Sequence, residues 1–435
     1  MCRSKSATDA AEPAPRSQSS PSRKSEFPQQ KGGTPRSLKS PPSSSSEPPS
    51  TTTSRSGNHT AGSSDNFKSG ASLSTRASLS SLRDSLPENP TIYGISEIRA
   101  ATNNFLAKRK SSTVPSWRCT LYGKDVIIFQ RKFLKPTSPA IVREKLSFVC
   151  KSHHATIINL IGASISGDFI FLVYEYVRGS NLADCLRNPM NPSFTVLSTW
   201  VSRMQIAADL ASGLDYIHNN TGLDISLVHN HIKASSIIVA EPTLNAKFCH
   251  FGTSYLCGEP GEETETSPLK ISEISEVSTK LMRSNSVKFY GTTGYMSPEF
   301  QSTGIGTQKS DVFAFGVLIL ELLSGEEPVR YRFNKATRDY IKISVIDAAR
   351  AVVEGSDGGE GRLRRWIDGR LNDSFPVDVA EKMTRLALEC VHVEADKRPS
   401  MRRVAGKISK LYLETMAWAD RMKIPTAFTA SFAPR

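Results

Sequence analysis

Two neighbouring stretches decide the reading of this sequence: Gly291-Thr292-Thr293-Gly294-Tyr295-Met296-Ser297-Pro298-Glu299 and Lys309-Ser310-Asp311-Val312-Phe313-Ala314-Phe315-Gly316-Val317. The second opens an apolar run over 311–323 that predicts a buried helix. The run does not suffice to cross a bilayer, which takes about 20 apolar residues, and it contains Glu321. Toward the N-terminus, residues 200–218 place Met204, Ile206, Ala207, Leu210, Leu214 and Ile217 at helical spacing. Short strands are expected around Val228 and over 237–239. Further back, apolar runs predict strands over 117–122, 126–129, 157–164 and 169–176, with a helix over 140–151 among them. A short helix is expected over 96–105, with Ser96 as its N-cap. Toward the C-terminus, helices are expected over 342–353, 379–392 and 401–412. The outcome is an α+β fold of two lobes, a small β-rich one with one helix and a larger helical one.

The 435 residues carry a formal net charge of +13. The cations are spread along the whole chain, which favours a solvated basic surface and gives no reason to expect a nucleic-acid partner. Residues 1–90 are rich in Ser and Pro and cannot bury enough apolar surface to offset their ordering entropy, so they read as a disordered tail. The seven cysteines, Cys2, Cys119, Cys150, Cys185, Cys249, Cys257 and Cys390, are scattered and include no CxxC pair. They form neither a disulfide framework nor a zinc motif, and a reducing compartment is expected. No apolar leader follows Met1, so a secretory signal is not expected. Cys2 beside Arg3 and Lys5 is a candidate acylation site for peripheral membrane attachment.

The motifs, taken in order, resemble the protein kinases, specifically the plant receptor-like and cytoplasmic receptor-like kinases and among them the LysM receptor kinases. Ala101-Thr102-Asn103-Asn104-Phe105 is similar to the lead-in before that family's small lobe. Leu172-Val173-Tyr174-Glu175-Tyr176-Val177 is similar to its hinge, with Tyr174 as gatekeeper and Glu175 and Val177 along the nucleotide pocket. The two stretches quoted first resemble the end of the activation segment and the buried helix after it. Cys390-Val391 and Lys397-Arg398-Pro399-Ser400-Met401 resemble the closing helices. The resemblance implies a two-lobe kinase-like fold: a tail over 1–90, a small lobe over 91–178, a large lobe over 179–413 with a long activation-segment insertion over 257–287, and an extension over 414–435.

The same resemblance exposes what is missing. Kinase chemistry needs a glycine-rich flap, a strand lysine, an aspartate base, and an Asn and an Asp that hold magnesium. Residues 106–117 contain no glycine. The lysine position falls on Phe129, or on Gln130 with a one-residue slip; Lys132 is the candidate replacement, with Glu144 as its expected partner. The catalytic loop reads His229-Asn230-His231-Ile232-Lys233-Ala234-Ser235-Ser236, so His231 replaces the base and Ser236 the Asn, while Lys233 is kept. Cys249-His250-Phe251-Gly252 puts His250 where the magnesium-binding Asp belongs. Magnesium wants oxygen ligands, and imidazole is a poor substitute. His231 and His250 suit zinc or copper better, but no metal site is assigned to them. His229, Phe251, Gly252, Glu299, Asp311 and Arg398 are retained, and the resemblance gives them architectural roles, with Glu299 paired to Arg398 and Asp311 bonded to the catalytic-loop backbone.

Losses therefore fall on chemistry and retentions on architecture. The expected function is a catalytically impaired scaffold or allosteric partner in receptor-kinase signalling, with no cofactor. The alternative is an atypical Ser/Thr kinase using ATP and magnesium. Expected partners are receptor kinases or other signalling proteins, in the cytoplasm or at the inner face of the plasma membrane. Candidate phosphorylation sites are Ser19, in an R-S-x-S-x-P context that 14-3-3 proteins bind, with Ser40, Ser78, Ser284 and Ser286.

Overall fold

The computed structural model describes residues 90–106, 114–191, 197–221, 227–261, 292–334, 338–355 and 359–424, all within one compact unit. Ser19, Ser40, Ser78, Ser284, Ser286, Cys2, the tail up to residue 89, residues 107–113 of the flap region, most of the 257–287 insertion and residues 425–435 lie outside the described residues.

The small lobe is a five-stranded sheet of order β1-β4-β5-β3-β2. Its strands are β1 (Thr91–Ile92), β2 (Ser116–Leu121), β3 (Lys124–Lys132), β4 (Leu160–Ser166) and β5 (Phe169–Glu175). Helix α1 (Ile95–Ala101) begins one residue before the expected cap. Gly94 is its N-cap, and its N–H donates to Glu97 Oε2 at 2.6 Å. Helix α2 (Pro139–Cys150) is capped by Ser138 and buries Val142, Leu146, Val149 and Cys150. Alternation along β3 assigns its two faces. Val126 and Ile128 join a small outer core with Ile98, Phe171 and Val173, while Phe129 belongs to the main core.

The large lobe starts with β6 (Gly179–Asn181) and α3 (Leu182–Arg187), followed by α4 (Trp200–Asn219), β7 (Ile237–Ala240) and β8 (Ala246–Phe248). These three strands form one sheet. After α5 (Thr253–Cys257) come α6 (Pro298–Thr303) and α7 (Gln308–Ser324). Every residue of α7 from Ser310 to Ser324 is buried, so its apolar surface runs all the way round. The lobe closes with α8 (Val345–Glu354), α9 (Gly359–Trp366), α10 (Val377–Cys390) and α11 (Met401–Arg421).

Three expectations are corrected. No strand forms around Val228: the N–H groups of His229 and Asn230 are taken by the Asp311 carboxylate, and the Val228 carbonyl accepts from Ser254 Oγ at 2.8 Å. The helix expected over 342–353 starts only at Val345. The preceding residues form β10 (Asp339–Ser344), paired antiparallel with β9 (Val329–Asn334) in an exposed hairpin. Helix α11 runs nine residues past its expected end at 412; Trp200 Nε1 donates to Thr415 Oγ1 at 3.1 Å and holds the extra turns on α4. Among the described residues no helix is long and apolar enough to cross a membrane.

Candidate functional site

The site lies in a cleft of about 600 Å³ between β3, the end of β5 and the loop that precedes β7. Tyr174 ends the buried run of β5. Its hydroxyl donates to the Phe251 carbonyl at 2.8 Å and lies 3.1 Å from Thr253 Oγ1. Burial pushes its phenol well above the ordinary range, so it acts as a neutral donor. Glu175 accepts from the Asn159 backbone and side-chain amides, and Val177 is half-buried against the main core.

The strand-lysine position is filled by an aromatic ring. Phe129 faces the cleft, with its centroid 5.9 Å from that of Tyr174 and 4.5 Å from that of His250. Gln130 falls on the alternate face, as the two-residue period of a strand requires. The same period puts a second cation beside the Phe129 ring. Lys132 is exposed and sits 3.8 Å from Asp168. Arg131 shares the Phe129 face and lines the cleft; its Nε is buried with no hydrogen-bond partner among the described residues. Arg131, not singled out in the sequence, therefore joins Lys132 in lining the cleft. Glu144 is exposed on α2 and makes no ion pair with Lys132 among the described residues. The inward-reaching residue of that turn is Lys145, which donates to the Tyr255 carbonyl at 3.0 Å.

Asp311, in the first turn of α7, holds the catalytic loop. Its carboxylate accepts from the His229 N–H at 2.6 Å and the Asn230 N–H at 2.8 Å, with His218 Nε2 at 3.1 Å. His229 is buried, and desolvation outweighs the pull of Asp311, lowering its imidazole to about 4. His231 Nε2 lies 2.9 Å from Glu259 Oε1, and Asn230 Nδ2 donates to Glu259 Oε2 at 2.7 Å. Lys233 Nζ donates to Thr292 Oγ1 at 3.2 Å; burial, and secondarily Arg131, lower its ammonium. Ser236 is buried, and its carbonyl accepts from Cys249 N–H at 2.9 Å.

His250 takes a left-handed backbone (φ 67°) and is buried, with an unpartnered Nδ1 among the described residues. Burial, then the charges of Arg131, His231, His229 and Lys233, push its imidazole well below 6.5. It is therefore neutral at physiological pH. Phe251 is buried behind it. Gly252 has φ 77°, and a Cβ there would stand 2.4 Å from a Val149 methyl, so only glycine lets α2 approach this closely. The donor set at His231, Ser236 and His250 is two imidazoles and a hydroxyl, which does not fit magnesium. The carboxylate that meets His231, Glu259, is already committed to Asn230 and His231.

Glu299 and Arg398 meet as the sequence leads one to expect. Arg398 has no exposed side-chain surface and forks onto Glu299 at 2.6 and 2.7 Å. A second buried network, not foreseen in the sequence, joins the quoted stretches. The Tyr295 hydroxyl donates to Glu321 of α7 and accepts from the Ala234 N–H at 3.1 Å, while Arg187 pairs with Glu321 at 3.0 Å. Burial raises the Glu321 carboxyl despite Arg187.

Residues 127–407 match the family model described as a protein kinase domain. The chain is 32% identical over 338 residues to LysM domain receptor-like kinase 3 from Arabidopsis thaliana, covering 76% of this chain and 48% of that protein. It is 28% identical to Protein LYK5 of the same organism, covering 76% and 45%, and 29% identical to its proline-rich receptor-like protein kinase PERK1, covering 65% and 38%. The chain spans less than half the length of these relatives. With its sheet-based small lobe and helical large lobe, it belongs to the protein kinase family, among plant receptor-like kinases.

Proposed function

We propose that this chain is a kinase-fold signalling module that binds partners without transferring phosphate. One observation carries the reading: His250, at the position of the metal-binding aspartate, is buried, neutral and packed 4.5 Å from the Phe129 ring that replaces the strand lysine. Phosphoryl transfer rests on a cation on the phosphates and a carboxylate on magnesium. An aromatic ring against a neutral imidazole supplies neither. The Asp311 and Glu299–Arg398 contacts preserve the posture of a kinase lobe without serving that chemistry.

The names of two of these relatives, LysM domain receptor-like kinase 3 and PERK1, support receptor kinases as partners, and such partners would be met at the inner face of the plasma membrane. Cys2 acylation would add a membrane anchor, Ser19 phosphorylation a docking group for 14-3-3 proteins, and phosphate at Ser284 or Ser286 a change in the local charge that partners meet. Arg131 and Lys132 along the cleft favour the second reading, an atypical Ser/Thr kinase with a displaced cation. A thermal-shift titration with ATP separates the two. The proposal expects magnesium to add nothing to any shift that ATP causes; a shift that depends on magnesium favours the enzyme.

A further inference from the structure

Glu259 stands two residues beyond the end of α5, yet its side chain lies on the catalytic loop. Oε2 accepts from Asn230 Nδ2 at 2.7 Å and Oε1 faces His231 Nε2 at 2.9 Å. A carboxylate only accepts, so both loop side chains donate to it. The Glu259 side chain is only 10% exposed. Its position is fixed from behind. The Cys257 carbonyl accepts from the Leu134 N–H at 3.0 Å, the Pro260 carbonyl accepts from the Gly306 N–H at 2.9 Å, and Gly261 bridges to Gly306. Arg131 adds a guanidinium from β3 whose field reaches both Glu259 and His250. Burial alone would raise the Glu259 carboxyl, but His231, Asn230 and Arg131 outweigh it and hold it below its ordinary value. The cradle is thus built for an oxyanion. The other carboxylate beneath this loop, Asp311, is occupied by backbone N–H groups.

We propose that Asn230, His231 and Arg131 form a metal-independent oxyanion site, filled from within by Glu259, which accepts a phosphate group when the Glu259 segment is displaced. The inference rests on the reading of a site without magnesium ligands: the loop side chains beside that ligand set here face an anion. A phosphate presents the same acceptor oxygens as the carboxylate with more charge, and no bond is made or broken in the exchange. A phosphorylated side chain of a peptide and the phosphate of a nucleotide share this chemistry.

The test uses the full chain and its Glu259→Gln variant, which keeps the side-chain shape and removes the charge. Inorganic phosphate is titrated by calorimetry in the presence of a chelator. The variant should bind about tenfold more tightly than the parent, the penalty of a site that is nine-tenths self-occupied. Arg131→Met or His231→Ala in the variant background should abolish the gain. Glu259→Asp, which retracts the carboxylate by one methylene, should move affinity in the same direction and serves if the Gln variant does not fold. A phosphoserine peptide and AMP, compared in parallel, assign the source of the phosphate. Equal affinity in parent and variants, or a gain that survives loss of Arg131 and His231, overturns the proposal. Binding that appears only with added magnesium overturns it too, and also counts against the non-catalytic reading. Phosphate transfer measured on the same samples reports on that reading alone.

Discussion

The guanidinium of Arg398 and the carboxylate of Glu299 meet in a two-point fork at 2.6 and 2.7 Å, with the Arg398 side chain completely buried and Glu299 at its open edge. Arg398 also donates to the carbonyls of His392, Val393 and Lys309, so it ties α6, α7 and the turn before α11 together. Arg398→Ala leaves a carboxylate and three carbonyls short of a donor. The expected loss is about 3–5 kcal/mol, the range for breaking a buried pair. Glu299→Ala should cost as much or slightly less, since the carboxylate is partly solvated. Chemical denaturation checks both; midpoints unchanged from the parent would remove this pair from the account of the fold.

Acid should weaken the fold through His229. Its folded value is lowered to about 4 from the ordinary 6.5, so the unfolded chain binds the proton first as pH falls. Stability from this group is complete above about pH 6.5 and declines as pH drops toward 4. The shift corresponds to about 3 kcal/mol over that window. His250, also lowered, acts with the same sign. Melting temperatures between pH 7 and 4.5 should fall for the parent and fall less for His229→Phe, which keeps a ring against Phe248. Identical slopes would show that His229 is not the sensor.

Gly252→Ala should destabilise the junction between the lobes. The left-handed backbone alone costs a Cβ-bearing residue about 1–2 kcal/mol, and the new methyl would meet Val149 at 2.4 Å. A melting temperature within error of the parent would mean that α2 shifts freely, and that its approach to Gly252 is not constrained.

These predictions draw on parts of the molecule that differ in how legible they were. The buried helix α7 and the Glu299–Arg398 pair could be read from the sequence because apolar density and motif order both point to them. Phe129 follows from its count along the strand motif. Arg131 is legible in the two-residue period, which puts it beside Phe129 and Lys132 beside Gln130. The β9–β10 hairpin is legible only in part: residues 342–344 read as the start of a helix, although Val329, Tyr331 and Phe333 alternate with Arg330, Arg332 and Asn334 along β9. Tyr331, Phe333, Tyr340 and Ile341 were the available signal. Glu259 had none. Its partners lie 28 and 29 residues away in sequence, and only the folded chain brings them together.

The most direct measurement of the central claim is phosphate incorporation by the purified chain, free of contaminating kinase, with ATP and either magnesium or manganese. The account predicts no labelling of the chain or of a generic protein substrate with either ion. Robust incorporation that disappears on Arg131→Ala or Lys132→Ala would contradict it and identify an active kinase with a displaced cation.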